Sequence, residues 1–511
     1  MEQQPVDRPQ YHSDRILVTL RPEALRAAGT EAIEMARTLT GSSTAFASGV
    51  AEHTEAASAA FGVSVGDEGG EAVTAERSAL SYLEEVGAIR RAEPVLAPSR
   101  PSISASESDL IGTHSAIATV EAFPESVQLP SQEVLAGNLI LTVDPARVDE
   151  VYSGLSADKK HVADVERVPI RRLLSPLPQG ARQPVQPWHL SRSGLLAARQ
   201  KAGFDDAASV RVAVLDTGID ADHPMLQPAI ARYSYAPPYP GVPSGRRDIS
   251  SHGTHVSGTI AAHGADNDVD GVSRAELHIF KIFDDQVDRL SYFTDRSGAI
   301  FVSDEYWVDP IMYLRALSAC ADDNIEIVNL SIGGEAIGDS REQQLFARLV
   351  NQGQIVVAAM GNERDTGSPT SWPAAYSDVI AVGALNINDE VAAFSNGGDH
   401  ITVSAPGTDI MATMPTYDGV EFWRGRENAD GSITRDTPIP WDKYRGTMSG
   451  TSMATPIVSG AASLWVAKNG RGHSAFTAAL ENSSRKLAQM GGLNHTVDHG
   501  WGCLDIERLL T

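Results

Sequence analysis

Gly450-Thr451-Ser452-Met453-Ala454-Thr455-Pro456 closes an irregular stretch and opens an apolar one. Beyond it Ile457, Val458, Ala461, Leu464, Trp465 and Ala467 recur at helical spacing, which predicts a buried helix over Ser452–Ala467 with Ser452 in its first turn. The first amide N–H groups of a helix lack intrahelical partners and carry the positive end of its dipole. Negative charge developing beside Ser452 is therefore stabilised there. Pro456 fits the same position, because early in a helix its missing N–H costs no hydrogen bond. Gly450 leaves room for another chain to approach. Taken alone, the heptapeptide supports an N-cap serine equally well.

Two upstream stretches break the tie. Val212-Ala213-Val214-Leu215-Asp216-Thr217-Gly218 reads as a short buried strand ending in a carboxylate, and His252-Gly253-Thr254-His255-Val256-Ser257-Gly258 places an imidazole at another helix start. Asp220 and Asp222 follow closely, but Asp216 alone comes directly after the strand; Asp220 is the better turn residue. His252 and His255, three apart, would suit a metal pair, yet no third ligand arrives at matching spacing and no His-Glu-x-x-His is present, so zinc is disfavoured.

With its Asp, His, Ser order, the chain from about Trp188 to the C-terminus resembles the subtilisin-like serine proteases, the subtilases. The resemblance implies a three-layer subtilisin-like α/β domain and an endopeptidase using Asp216, His252 and Ser452. It implies that the Asn362 side-chain amide and the Ser452 backbone N–H hold the oxyanion, and that Ser331-Ile332-Gly333 is the edge on which an extended substrate lies. Outside that resemblance Gly361-Asn362 reads as a plain turn. An α/β-hydrolase esterase is disfavoured, since Gly450-Thr451-Ser452-Met453-Ala454 is not Gly-x-Ser-x-Gly. Two rivals remain: a transamidase in which an amine resolves the acyl-enzyme, and a latent protease whose N-terminal region makes it a regulated interaction protein.

The residues independently predict an α/β sheet. Apolar strands at Arg211–Leu215, Leu277–Phe283, Ile325–Leu330, Gln354–Ala359, Val379–Val382 and Ile401–Val403 alternate with helices at His252–Ala262, Pro310–Ala321, Arg341–Asn351 and Ser452–Ala467. Such near-continuous apolar strands belong to a mainly parallel sheet covered on both faces, with its site at the strands' carboxyl ends, where Asp216, Ser331 and Asn362 fall.

At 511 residues, with 42% apolar and 21% charged residues, the chain is an ordinary globular sequence of two or three domains. A net charge of −25 argues against partners that are nucleic acids or anionic membranes. No basic n-region precedes an apolar h-region and no apolar run is long enough to span a bilayer, which sets the expectation of a cytoplasmic protein. Cys320 and Cys503 do not make a disulfide framework.

Residues 1–174 are expected to form an α+β, ferredoxin-like unit acting either as an intramolecular propeptide or as a regulatory domain. Its predicted elements are strands at Arg15–Leu20, Leu139–Val143 and Val162–Val168 and helices at Glu31–Leu39, Glu76–Glu85 and Pro145–Leu155, with a small-residue loop at Gly41–Gly70. Subtilases commonly carry such a propeptide, and Asp164–Pro169 resembles the end of one, although this region is about twice the usual length. Residues 175–187 read as a proline-rich linker suited to processing, and 188–511 as the peptidase domain.

Several further positions carry open readings. Glu363 either rims the first specificity pocket and favours a basic residue or is a solvated charge. Met360 stands where subtilases usually have a small residue. No organic cofactor is implied. Asp266–Gly271 imitates the first half of a calcium loop but has Leu277 where a glutamate is required, leaving calcium or a solvated acidic turn. The aromatic-rich insertions Asp284–Asp309 and Pro415–Arg445 are placed to wall the substrate groove, to dock the N-terminal unit, or simply to pack.

Overall fold

The computed structural model describes residues 9–21, 89–94, 138–174, 187–235, 244–264, 269–294, 298–428 and 430–511. The predicted helices Glu31–Leu39 and Glu76–Glu85, the Gly41–Gly70 loop and nearly all of the proline-rich linker lie outside them.

Seven parallel strands form the central sheet in the order Val403–Pro406, Ile380–Leu385, Ile355–Ala359, Ile327–Leu330, Arg211–Asp216, Glu276–Lys281 and Ile230–Ser234. The two-residue period of a strand sends alternate side chains to opposite faces. Val212, Val214, Val357 and Val382 pack with the helices His252–Ala261 and Thr451–Asn469, while Ala213, Leu215, Val356 and Ala358 pack with Pro310–Asp322 and Ser340–Asn351. Helices on both faces give the α/β three-layer arrangement expected. Thr451–Asn469 runs through the centre of one layer, with every residue from Thr451 to Val466 buried. Gly460 permits this closeness, since a Cβ there would sit 2.6 Å from Val272.

Most predicted boundaries hold within two residues, and the strand expected at Ile401–Val403 runs instead over Val403–Pro406. The edge strand Ile230–Ser234 was not predicted: its Ala-Arg-Tyr-Ser run, interrupted by a charge and half-buried at its start, lacks the apolar continuity of a central strand.

The N-terminal unit is a four-stranded antiparallel sheet ordered Ile89–Pro94, Asn138–Val143, Tyr11–Leu20, Val162–Pro169, the strand order of a ferredoxin-like fold. Ile16, Val18, Leu141 and Val143 close its own core against Val151 and Leu155 of the helix Val148–Ala157. The opposite face contributes Leu17, Ile140 and Val168 to the apolar cluster beneath Pro310–Asp322 and Ser340–Asn351. The docking is polar at its rim. Glu166 accepts from the Ser340 N–H at 3.0 Å, placing a carboxylate at a helix N-terminus, and Arg341 donates to Asn138 at 2.6 Å.

The two aromatic-rich insertions meet. Arg289–Thr294 and Ile300–Glu305 from the first, with Val420–Glu427 and Ile433–Pro440 from the second, make one four-stranded sheet, joined where Phe301 pairs with Arg424 and Val302 with Trp423. Among the described residues no helix is long and apolar enough to cross a membrane.

Candidate active site

Asp216 ends the strand Arg211–Asp216 and its side chain is fully buried. One oxygen, Oδ1, accepts the Thr217 N–H at 2.8 Å and the His252 Nδ1–H at 2.8 Å. A carboxylate paired with Nδ1 holds the ring in one orientation and leaves Nε2 facing away. Nε2 of His252 is buried without a hydrogen-bond partner among the described residues.

His252 is placed by a tight junction. Ser251 takes φ +65° before the helix His252–Ala261 begins, and a Cβ on Gly253 would lie 2.0 Å from the Gly218 carbonyl oxygen. Only glycine lets the helix start approach the Asp216 turn this closely. The cap comes from Asp248, which accepts from the Thr254 N–H at 2.8 Å and the Thr254 hydroxyl at 2.6 Å. Its other oxygen accepts from the Thr217 hydroxyl at 2.8 Å, tying both catalytic candidates to one carboxylate. Burial raises the Asp248 carboxyl above its usual range, against the opposing pull of the threonine hydrogen bonds. Sequence reasoning missed Asp248, because nothing in Arg246-Arg247-Asp248-Ile249 marks it.

His255 lies on the same helix but turns away, its Nε2–H donating to the Ile410 carbonyl at 2.8 Å; burial lowers its pKa to about 3. His255 therefore serves packing.

Ser452 is the second residue of Thr451–Asn469 and fully buried. Its helix start is capped by Asn362, whose Oδ1 accepts from the Thr451 N–H and hydroxyl, each at 2.9 Å. The bond fixes the amide's orientation and leaves Nδ2 buried with no partner among the described residues. A Cβ on Gly450 would come within 3.3 Å of that nitrogen, so the glycine keeps its surroundings open.

Ser331 follows the strand Ile327–Leu330, and its hydroxyl donates to the Ser452 carbonyl at 3.1 Å. Ile332–Gly333 already carries a strand. Arg172–Leu173 pairs with it antiparallel, Leu173 opposite Ile332 and Arg172 opposite Gly333. On the other side the Val308 N–H donates to the Arg171 carbonyl at 2.7 Å, and the Leu173 N–H to the Tyr306 carbonyl at 3.3 Å. The insertion thus supplies the second wall. It also docks the N-terminal unit, with the rings of His12 and Trp307 5.5 Å apart and edge-on. At the end of the bound strand the Leu174 carbonyl oxygen lies 3.3 Å from Ser452 Oγ, which is also 3.2 Å from the Ser331 carbonyl.

Glu363 is buried, not solvated. It accepts from the Asn362 N–H at 2.8 Å and from Asn396 at 3.1 Å, and it faces Arg172 at 3.4 Å, two residues back from Leu174. Met360 is fully buried in the cluster with Ile332 and Ala358. In the acidic loop, residues 265–268 lie outside the described residues, and Asp270 is paired with Arg199 and Arg274 at 2.5 Å each. A carboxylate committed to two guanidinium groups is a poor cation ligand.

Comparison with known proteins gives a consistent result. The family described as the subtilase family matches residues 207–502. Subtilisin E from Bacillus subtilis (strain 168) is 34% identical over 272 residues, 51% of this chain and 56% of that protein. The major intracellular serine protease of the same organism is 32% identical over 263 residues, 50% of this chain and 68% of that protein. The chain thus spans little more than half the length of subtilisin E. Fervidolysin from Fervidobacterium pennivorans, described as a keratinolytic enzyme related to subtilisin, superposes with a TM-score of 0.58 over 99% of this chain and 62% of that one. At 20% identity that likeness concerns the fold alone.

Proposed function

The chain belongs to the subtilase family, and we propose that it is a serine endopeptidase whose nucleophile is Ser452, with residues 1–174 as a propeptide. His252 Nε2 takes the proton of the Ser452 hydroxyl, which first turns away from the Leu174 and Ser331 carbonyls. Oγ then attacks a peptide carbonyl carbon. Negative charge on the carbonyl oxygen is met by Asn362 Nδ2 and the Ser452 N–H at the helix start. Asp216 orients His252 and stabilises its charged form. The amine leaves with the proton from His252, and water, deprotonated by the same ring, releases the acid from the acyl-enzyme.

The observation that carries this reading is the extended segment Arg172–Leu173 in the cleft with the Leu174 carbonyl beside Ser452 Oγ. Backbone pairing on an exposed edge holds any polypeptide, which is what a protease of broad reach needs. A cytoplasmic setting is part of the proposal; it is supported by the relative named as an intracellular serine protease.

Intact-mass measurement of the full chain tests it. The wild type is expected to cut itself between Leu174 and Ser175, giving two pieces whose summed mass exceeds the intact chain by one water, and Ser452→Ala is expected to stay whole. Identical intact masses overturn the propeptide assignment. Products lacking the added water point to a transamidase instead.

A further inference from the structure

We propose that Glu342 makes this chain select arginine four residues before the bond it cuts. The inference deepens the peptidase reading and rests on it. Counting back from Leu174, the fourth residue is Arg171, only 2% exposed.

Its guanidinium meets the Glu342 carboxylate as a fork on a fork, Nη2 to Oε2 at 2.7 Å and Nε to Oε1 at 3.1 Å. Nη1 donates to the Ala336 carbonyl at 2.9 Å. The carboxylate is set in place by its own side of the cleft. The Tyr313 hydroxyl donates to Oε1 at 2.8 Å and the Tyr376 hydroxyl to Oε2 at 3.1 Å. Gly338 clears the space, since a Cβ there would fall 1.5 Å from Oε2. Burial works against the Arg171 charge, yet Glu342 more than offsets it and raises the pKa further.

Two features separate this from an ordinary anchor between domains. First, Arg171 sits on the strand that occupies the cleft, with its carbonyl bound by the Val308 N–H as part of the same ladder that delivers Leu174 to Ser452. Any substrate in that register puts its own fourth side chain at Glu342. Second, a desolvated carboxylate with two phenols fixed on it is poorly served by an apolar or neutral side chain, which would leave the charge buried and unpaired. Lysine reaches the pocket but offers a point charge in place of a planar fork, so arginine is favoured over lysine. The third position leans the same way, with Arg172 between Glu335 at 3.3 Å and Glu363 at 3.4 Å.

The test is hydrolysis of fluorogenic peptides Xaa-Arg-Leu-Leu-reporter by the full chain after it has processed itself. With Xaa as arginine, kcat/KM is expected to exceed the alanine and leucine peptides by about 100-fold, with lysine between. In Glu342→Gln the ratio of arginine to alanine peptide is expected to collapse to within a few-fold of one. A wild-type chain that cuts all four peptides at similar rates overturns the proposal, whether or not the variant folds. Failure to cut itself or any peptide would instead remove the peptidase reading beneath it.

Discussion

Around Ser452, His252 Nε2 and Asn362 Nδ2 are buried with no partner among the described residues. Three residues back along the docked strand, each oxygen of Glu342 accepts both a guanidinium N–H of Arg171 and a tyrosine hydroxyl. One cleft therefore holds two opposite arrangements of polar groups. Buried polar atoms without partners, here an imidazole acceptor and an amide donor, are costly in a fold and persist where a reaction uses them. Complete satisfaction marks a place that recognises the ground state, where the interaction is the same before and during the reaction.

If that contrast is right, substitutions at the reacting end should change rate far more than stability. The largest effect is expected from Asp216→Asn, which preserves shape but loses control of the His252 tautomer. Self-cutting followed on gels should slow by about 10⁴-fold. A loss under about tenfold would break the comparison. Next comes Asn362→Ala, expected to cost roughly 10²–10³ in kcat, a magnitude known from this family. The accompanying loss of the Thr451 cap should be visible as about 1 kcal/mol in denaturant unfolding.

The smallest effect sharpens the contrast along one helix, where His255 is already bonded to Ile410. Its pKa in the fold is about 3, below the ~6.5 of an unfolded chain. Stability present above pH 6.5 is therefore lost as the pH falls toward 3, because only the unfolded form takes up the proton readily. By pH 5 the loss is about 2 kcal/mol. Denaturant unfolding of the wild type at pH 7 and 5, beside His255→Gln, should show a smaller pH difference in the variant.

The central sheet was legible because Val212–Leu215 and Ile355–Ala359 are apolar runs with no other use, and the helix through Ser452 because its apolar residues repeat at one period. Asp216 and His252 stood out by position, at a strand end and a helix start, whereas Asn362 read as a plain turn outside the family resemblance. Glu342 was not legible. In Ser340–Asn351 it occupies what reads as a charged outer face, yet in the fold it is buried between Arg171, Tyr313 and Tyr376. Asp248 escaped for a related reason, since it caps a helix from outside the usual capping position. The insertions were flagged by their aromatic content, but the pairing of Phe301 with Arg424 joins segments too far apart in the chain for any local pattern to report.

That pairing makes the two insertions interdependent. Deleting Val420–Pro440 would bare the Ile300–Glu305 edge, whose chain continues into Tyr306, Trp307 and Val308 beside Arg171. A shortened second hairpin would thus loosen the grip on the docked strand from a distance, and transplanting the groove wall into another scaffold would require moving both pieces as one module.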